Sequence, residues 1–341
     1  MRGLKCLALL LAVAWVGCDS KSSTAAGGGS GATSATAKKR RIAIVPKGST
    51  HDFWKSIHAG AVKAAKEIGG VDILFKGPEK EDDREQQVLL VQNYLGGSVD
   101  AVVLAPLDEN ALMSPVRQLT KAGIPVVVID SGLAGKAGTD FVSLVATDNL
   151  AGGRLAGKRM AEVLGGKGKV LMLRHAEGSA STMQREQGFA EALATNKDIQ
   201  LIDPKRYSGA TRATAQEASE NLLTEYAGVD GIFCSNESAT FGMLLALRGR
   251  NLAGKIHFVG FDASPGLVEA LGKGELDGLV VQNPVRMGYL GVKTAVDHLD
   301  KKPVEPRIDT GVMMVTKENM ATPQAADLLN PDLKVLADTG A

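Results

Sequence analysis

From Arg41 onward, short apolar runs rich in β-branched residues alternate with longer stretches of helical periodicity. The runs at 42–45, 71–75, 99–104 and 126–129 are largely apolar at successive positions, the pattern of strands covered on both faces. Between them Phe53, Ile57, Ala61, Ala64 and Ile68 recur at helical spacing, as do Val88, Val91 and Leu95, then Leu112, Val116 and Leu119. Such alternation predicts a parallel sheet with helices on both faces. The alternation then restarts, with strands predicted at 170–173, 200–203, 231–234, 257–261 and 279–282 and helices at 184–194, 214–226 and 239–248. The fold class is therefore α/β: two doubly wound parallel-sheet lobes joined by a multi-strand hinge. The chain passes between lobes near 146–149 and again near 282–284, returning 287–299 to the first. This assigns 41–147 plus 283–312 to an N-terminal lobe and 148–282 plus 313–325 to a C-terminal lobe. Residues 326–341 are left as a loosely attached tail.

The segment ahead of Arg41 has a different character. Arg2 and Lys5 precede an apolar run from Leu7 to Val16, the charge and length of a signal peptide over 1–17 and too short for a membrane span. Gly17-Cys18-Asp19-Ser20 resembles a bacterial lipoprotein cleavage site with Cys18 lipidated, although Trp15 stands where that pattern has Leu; plain secretion with cleavage nearby is the alternative. Residues 18–40 then read as an anchor and a flexible linker of Ser, Thr, Ala and Gly. The linker's Gly27-Gly28-Gly29-Ser30-Gly31-Ala32 nominally matches a dinucleotide fingerprint, but no strand precedes it and no helix follows.

Composition narrows the function classes. The 341 residues carry a formal charge of +1, and removing 1–17 takes away two basic residues and no acidic one, so nothing attracts a polyanion. Of three cysteines, Cys6 leaves with the signal and Cys18 carries lipid. That leaves Cys234 alone in an apolar run, a buried small hydrophobe, with no disulfide to staple the fold. The five histidines, His51, His58, His175, His257 and His298, lack metal-ligand spacing. Gly165-Gly166-Lys167-Gly168-Lys169 lacks the Ser/Thr of a phosphate loop and opens a strand. No Gly-x-Ser-x-Gly elbow is present, and Ser179 and Ser181 have no orienting partner in sequence. No cofactor, metal or catalytic residue is expected.

Ligands of open parallel sheets bind beyond the carboxyl ends of the strands. The residues there are Lys47 with the cluster His51-Asp52-Phe53-Trp54, then Asp130, Asn236, Asp262 and Gln282, with Arg185 beyond the Val170 run. Planar carboxylate, amide and guanidinium groups grip adjacent hydroxyls in pairs, and aromatic rings stack on the apolar faces of a sugar. Local readings compete. Asp130 and Asp262 fit helix caps or turns, and Asp148 fits a cap better still. Arg185 fits a surface charge beside Glu186 and Glu191, Phe53 fits the stripe of its helix, and Asn236 and Gln282 fit a hinge or strand-end hydrogen bonds.

In order, these motifs resemble the type I periplasmic sugar-binding proteins of ABC transporters, the ribose, galactose and arabinose receptors. The likeness spans Arg41 to Val315. It is carried by Lys47-Gly48-Ser49-Thr50-His51-Asp52-Phe53-Trp54, Val127-Val128-Ile129-Asp130, Ala146-Thr147-Asp148-Asn149 with Gly152-Gly153, and Arg185-Glu186-Gln187-Gly188-Phe189. Ser235-Asn236-Glu237, Val259-Gly260-Phe261-Asp262 and Val281-Gln282-Asn283-Pro284 complete it. The resemblance implies that Phe53 and Trp54 sandwich one ligand face, with Tyr207 as the opposing ring. It implies that Asp130, Arg185, Asn236, Asp262 and Gln282 bind hydroxyls, and that Lys47 and His51 add polar contacts. Ser131 replaces the Arg of ribose receptors and His51-Asp52 replaces their Asn-Pro, so a pentose, hexose, polyol or furanose is implied without singling out ribose. The implied partners are a small sugar-like ligand and an ABC permease in the inner membrane, with no nucleic acid. The implied protein is a monomer on the extracytoplasmic (periplasmic) side, held to a membrane only through Cys18. A sensory receptor feeding a membrane kinase or chemoreceptor is the alternative. Lac-repressor-type regulators share the core fold, but they carry a DNA-binding helix pair where this chain has a signal and linker.

Overall fold

The structure, a computed structural model, describes residues 39–49 and 51–339. The signal segment, Cys18 and nearly all of the linker lie outside them. The first lobe opens β1 (Arg40–Val45), α1 (Asp52–Ile68), β2 (Val71–Phe75), α2 (Arg84–Asn93), β3 (Ala101–Leu104), α3 (Met113–Lys121), β4 (Val126–Ile129) and β5 (Ser143–Ala146). The chain then enters the second lobe through α4 (Asn149–Val163), followed by β6 (Lys167–Leu173), α5 (Ala180–Leu193), β7 (Asp198–Ile202), α6 (Arg212–Glu225), β8 (Gly231–Cys234) and α7 (Glu237–Gly249). β9 (His257–Phe261), α8 (Pro265–Lys273) and β10 (Gly278–Gln282) complete that pass. Helix α9 (Pro284–Leu299) returns to the first lobe and leads to β11 (Arg307–Asp309). From there β12 (Val312–Val315) and α10 (Pro323–Leu329) belong to the second.

The two sheets repeat one order, β2-β1-β3-β4-β5-β11 and β7-β6-β8-β9-β10-β12. All pairings are parallel except β10 with β12. That reversal follows from a crossing of only Thr310 and Gly311, the glycine at φ 84°, between a strand of one sheet and a strand of the other. Three crossings therefore connect the lobes. The continuous apolar runs have a direct cause. In the first sheet Ile42, Ile44, Val103, Val127 and Ile129 pack under α1 and α9, while Ala43, Val45, Val102, Leu104 and Val128 pack under α2 and α3. In the second, Val170, Met172, Phe233 and Val259 meet α4 and α5, and Leu171, Leu173, Ile232 and Phe258 meet α6, α7 and α8. Alternate residues thus point to opposite covered faces, and each fully buried Val, Leu, Ile, Met or Phe side chain contributes about 1.5–3 kcal/mol.

Helices α1 and α9 meet by a close approach of backbones: a Cβ on Gly60 would lie 1.9 Å from the Val285 carbonyl oxygen, and one on Gly288 2.0 Å from that of Ile57. The second lobe repeats the device between α4 and α5, where a Cβ on Gly153 would lie 2.0 Å from the Arg185 oxygen and one on Gly188 2.1 Å from that of Leu150. In each lobe the helix after the first strand is thus docked on the helix that has just crossed from the other lobe.

The structure corrects two expectations. Strands β5, β11 and β12 were not foreseen, because each is three or four residues long and set among loops. The stretch read as a loose tail contains part of α10, whose Ala325 and Leu329 belong to the second lobe's core, and its following turn, Lys334–Thr339, reaches α1. Among the described residues no helix is long and apolar enough to cross a membrane.

Candidate functional site

The carboxyl ends of both sheets open on one cleft between the lobes. Asp130 follows β4 and Asp262 follows β9, strands that occupy the same place in the repeated order. Both residues adopt left-handed backbone, φ 62° and 67°, a conformation that Asp tolerates better than most side chains. Each keeps its N–H bonded to the next strand, Asp130 to the Val145 oxygen at 3.2 Å and Asp262 to that of Val280 at 2.8 Å. Lys47 and His175 correspond in the same way, each standing two residues past the first strand of its lobe, β1 and β6.

Charges in the cleft are buried and therefore paired. Lys47 Nζ lies 2.9 Å from Asp130 Oδ2 and donates across the cleft to Ser181 Oγ at 2.9 Å and Ser179 Oγ at 3.3 Å. The Ser181 N–H returns a bond to Ser131 Oγ at 3.1 Å. On the second lobe Arg185 donates to Asn149 Oδ1 at 2.8 Å and to the Ser235 oxygen at 3.1 Å, with Asp262 Oδ2 3.7 Å away. Its guanidinium lies 4.1 Å above the centre of the Phe261 ring. Gln282 Nε2 donates to Asp262 Oδ1 at 2.7 Å, while its Oε1 has no partner among the described residues. Burial pushes the Asp262 carboxyl up to about 6, against the opposing pull of Arg185 and Gln282. Beneath the cleft Glu186 ties Arg174, the His175 N–H and Ser235 Oγ together. Its carboxyl is raised because burial outweighs those bonds.

The aromatic wall is at the start of α1. Phe53 and Trp54 meet edge to face at 5.0 Å, and Trp54 Nε1 donates to Glu81 Oε1 at 2.5 Å. Burial favours the neutral form of Glu81. The hydrogen bond from His175, the charges of His51 and His175 and the indole N–H more than reverse this and hold the carboxyl at about 2. His175 belongs to the other lobe, its Nε2 3.5 Å from Glu81 Oε2.

One family description matches residues 42–303, that of the periplasmic binding protein domain. The chain belongs to that family. Among its periplasmic binding protein relatives, the ribose import binding protein of Escherichia coli K12 is 29% identical over 283 residues, covering 82% of this chain and 92% of its own. The D-allose-binding periplasmic protein of the same organism is 28% identical, covering 79% and 90%. A solute-binding protein of Agrobacterium vitis, solved with bound D-fucose, superposes with a TM-score of 0.82 at 37% identity over 85% of this chain and all of its own. One from Agrobacterium radiobacter, in complex with D-arabinose, gives 0.82 at 32% identity over 86% and 100%. These relatives are named for sugar binding, and the ribose protein for import.

In this periplasmic binding protein, Lys47, His51, Phe53, Trp54, Asp130, Arg185, Asn236, Asp262 and Gln282 all line the one cleft. Tyr207 does not. It is 42% exposed, because the Arg174–Tyr207 bridge pins its backbone beside β6, with Arg174 N–H on the Arg206 oxygen and Ser208 N–H on that of Arg174. The expected opposing ring is thus missing. Trp54, read as lying off the apolar stripe, is 2% exposed and more deeply buried than Phe53. Asn236 also caps α7, its Oδ1 accepting from Ala239 N–H at 3.2 Å, a role the sequence reading did not assign to it. Asp148 caps α4 as expected, accepting from Ala151 N–H at 3.0 Å. Sequence reasoning missed Glu81, His175, Ser181, Thr182 and Glu237, which line the cleft too. Only His175 carried a signal, its position past β6 matching that of Lys47 past β1. Among the described residues no cluster of three metal-ligating side chains occurs.

Proposed function

We propose that this chain is the extracytoplasmic solute-binding lipoprotein of an ABC importer, taking a monosaccharide or similar polyol between its lobes and closing on it by a hinge motion. The observation that carries this reading is the meeting of Lys47, Asp130, Arg185, Asp262 and Gln282, from both lobes, in one buried cleft walled by Phe53. Fixed carboxylate, amide and guanidinium groups match the paired hydroxyls of a sugar ring, and the Gln282 Oε1, without a partner among the described residues, suits a ligand hydroxyl. Three short crossings suit a hinge, since few backbone dihedrals need change to swing one lobe against the other. The sugars named for its relatives support the ligand class, and a permease and its ATPase are the partners that class implies.

Thermal denaturation of the purified protein against D-ribose, D-allose, D-fucose, D-arabinose and D-tagatose tests the reading. A ligand at 100 times its dissociation constant stabilises by about 2.7 kcal/mol. A folded protein whose transition moves with no sugar or polyol ends the sugar assignment. The anchor is tested separately: Cys18→Ser is expected to abolish palmitate labelling and release the protein from membranes, and equal labelling of both forms rejects it.

A further inference from the structure

One buried carboxylate in the cleft is a group that no sugar-binding motif accounts for. Glu81 lies in the loop between β2 and α2, is 8% exposed, and is held by groups of both lobes. On its own lobe it accepts from Trp54 Nε1 at 2.5 Å and lies 3.9 Å from His51 Nδ1. From the opposite lobe comes His175 Nε2 at 3.5 Å. The other nitrogen of that ring, Nδ1, is buried with no hydrogen-bond partner among the described residues, so Glu81 is the polar group that anchors the imidazole across the cleft. We propose that Glu81 is a positioning residue that latches the lobes shut, holding Trp54 on one side and His175 on the other, and so sets how long a bound sugar stays.

The physical basis is differential. When the lobes part, His175 leaves with the second lobe and water replaces it around the carboxylate. The Glu81–His175 contact therefore stabilises the closed form and not the open one, the condition for shifting that equilibrium. A contact made after encounter acts on dissociation more than on association. The proposal rests on the hinge-closure reading above.

The test is stopped-flow fluorescence of Trp54 in the full chain carrying Trp15→Phe, with D-fucose, D-arabinose and D-allose as probes. Glu81→Gln keeps the size of the side chain and removes its charge. It is expected to raise the dissociation rate at least tenfold and leave the association rate within twofold. His175→Gln should do the same, and the double variant should add less than threefold to either, because both remove one contact. Glu81→Asp should recover part of the slow dissociation. An unchanged dissociation rate in Glu81→Gln, or fully multiplicative effects of the two substitutions, overturns the latch. If Glu81→Gln fails to fold, His175→Gln alone decides by the same rates. If no probe binds the parent chain, the sugar reading falls, and the latch is judged on shape by small-angle scattering. Glu81→Gln should then have the larger radius of gyration, and equal radii reject the proposal.

Discussion

Two aspartates at matching strand ends carry most of the residue-scale physics. Holding a non-glycine residue in left-handed backbone costs about 1–3 kcal/mol, and the fold accepts it at both Asp130 and Asp262, where the cleft needs a carboxylate. Asp262 adds an electrostatic cost. Its folded pKa of about 6 lies above the ordinary Asp value, so the folded state binds this proton more tightly than the unfolded one. This contribution favours folding below about pH 4, is lost as the pH climbs from about 4 to 6, and is constant above, a total of about 3 kcal/mol. Arg185→Ala is therefore expected to abolish sugar binding and to destabilise at pH 7 by about 3–5 kcal/mol, because it strands a buried carboxylate. Much of that loss should be recovered at pH 5, where Asp262 takes up its proton. Calorimetry and urea unfolding at the two pH values check this, and an equal loss at both shows that Asp262 does not bear the cost.

At the scale of elements, paired glycines decide where the ligand-bearing helices sit. Helix α1 brings Phe53 and Trp54, helix α5 brings Arg185, and each is docked against a crossing helix with backbone where side chains would normally be. Gly153→Ala would place a methyl 2.0 Å from the carbonyl oxygen of Arg185 itself. Overpacking of this kind costs about 1–3 kcal/mol, and it displaces the turn that aims the guanidinium, so binding should weaken by at least tenfold. Gly249→Ala, at the end of α7 with nothing within 4 Å, is the control and should change stability by less than about 1 kcal/mol. Similar melting and affinity for both variants contradicts the packing role.

On the scale of the whole molecule, the lobes are one architecture used twice, joined by three crossings, with a C-terminal segment packed on both. Helix α10 is in the second core and the turn at Lys334–Thr339 reaches α1 of the first lobe. Leu329→Ala is expected to cost about 2–4 kcal/mol through the cavity it leaves, measured by urea unfolding. A cost near zero would restore the picture of a loose tail.

Sheet architecture was legible because it is written locally. Successive apolar residues at 42–45 or 231–234 announce strands covered on both faces, and the residues just past them mark the ligand-facing edge of a parallel sheet. Lys47, Asp130, Arg185, Asp262 and Gln282 were found that way, aided by family order. What the lobes bring together from distant loops was not legible, because no periodicity links Glu81 to His175 or tells which side of a turn Tyr207 faces. The same limit reversed Phe53 and Trp54: helical spacing ranks residues by distance from a stripe, but the depth of the indole was decided by a carboxylate placed to receive its N–H. Local pattern thus determined the elements and the strand ends, and the tertiary structure alone decided which polar groups meet, since meeting depends on how the two lobes face each other.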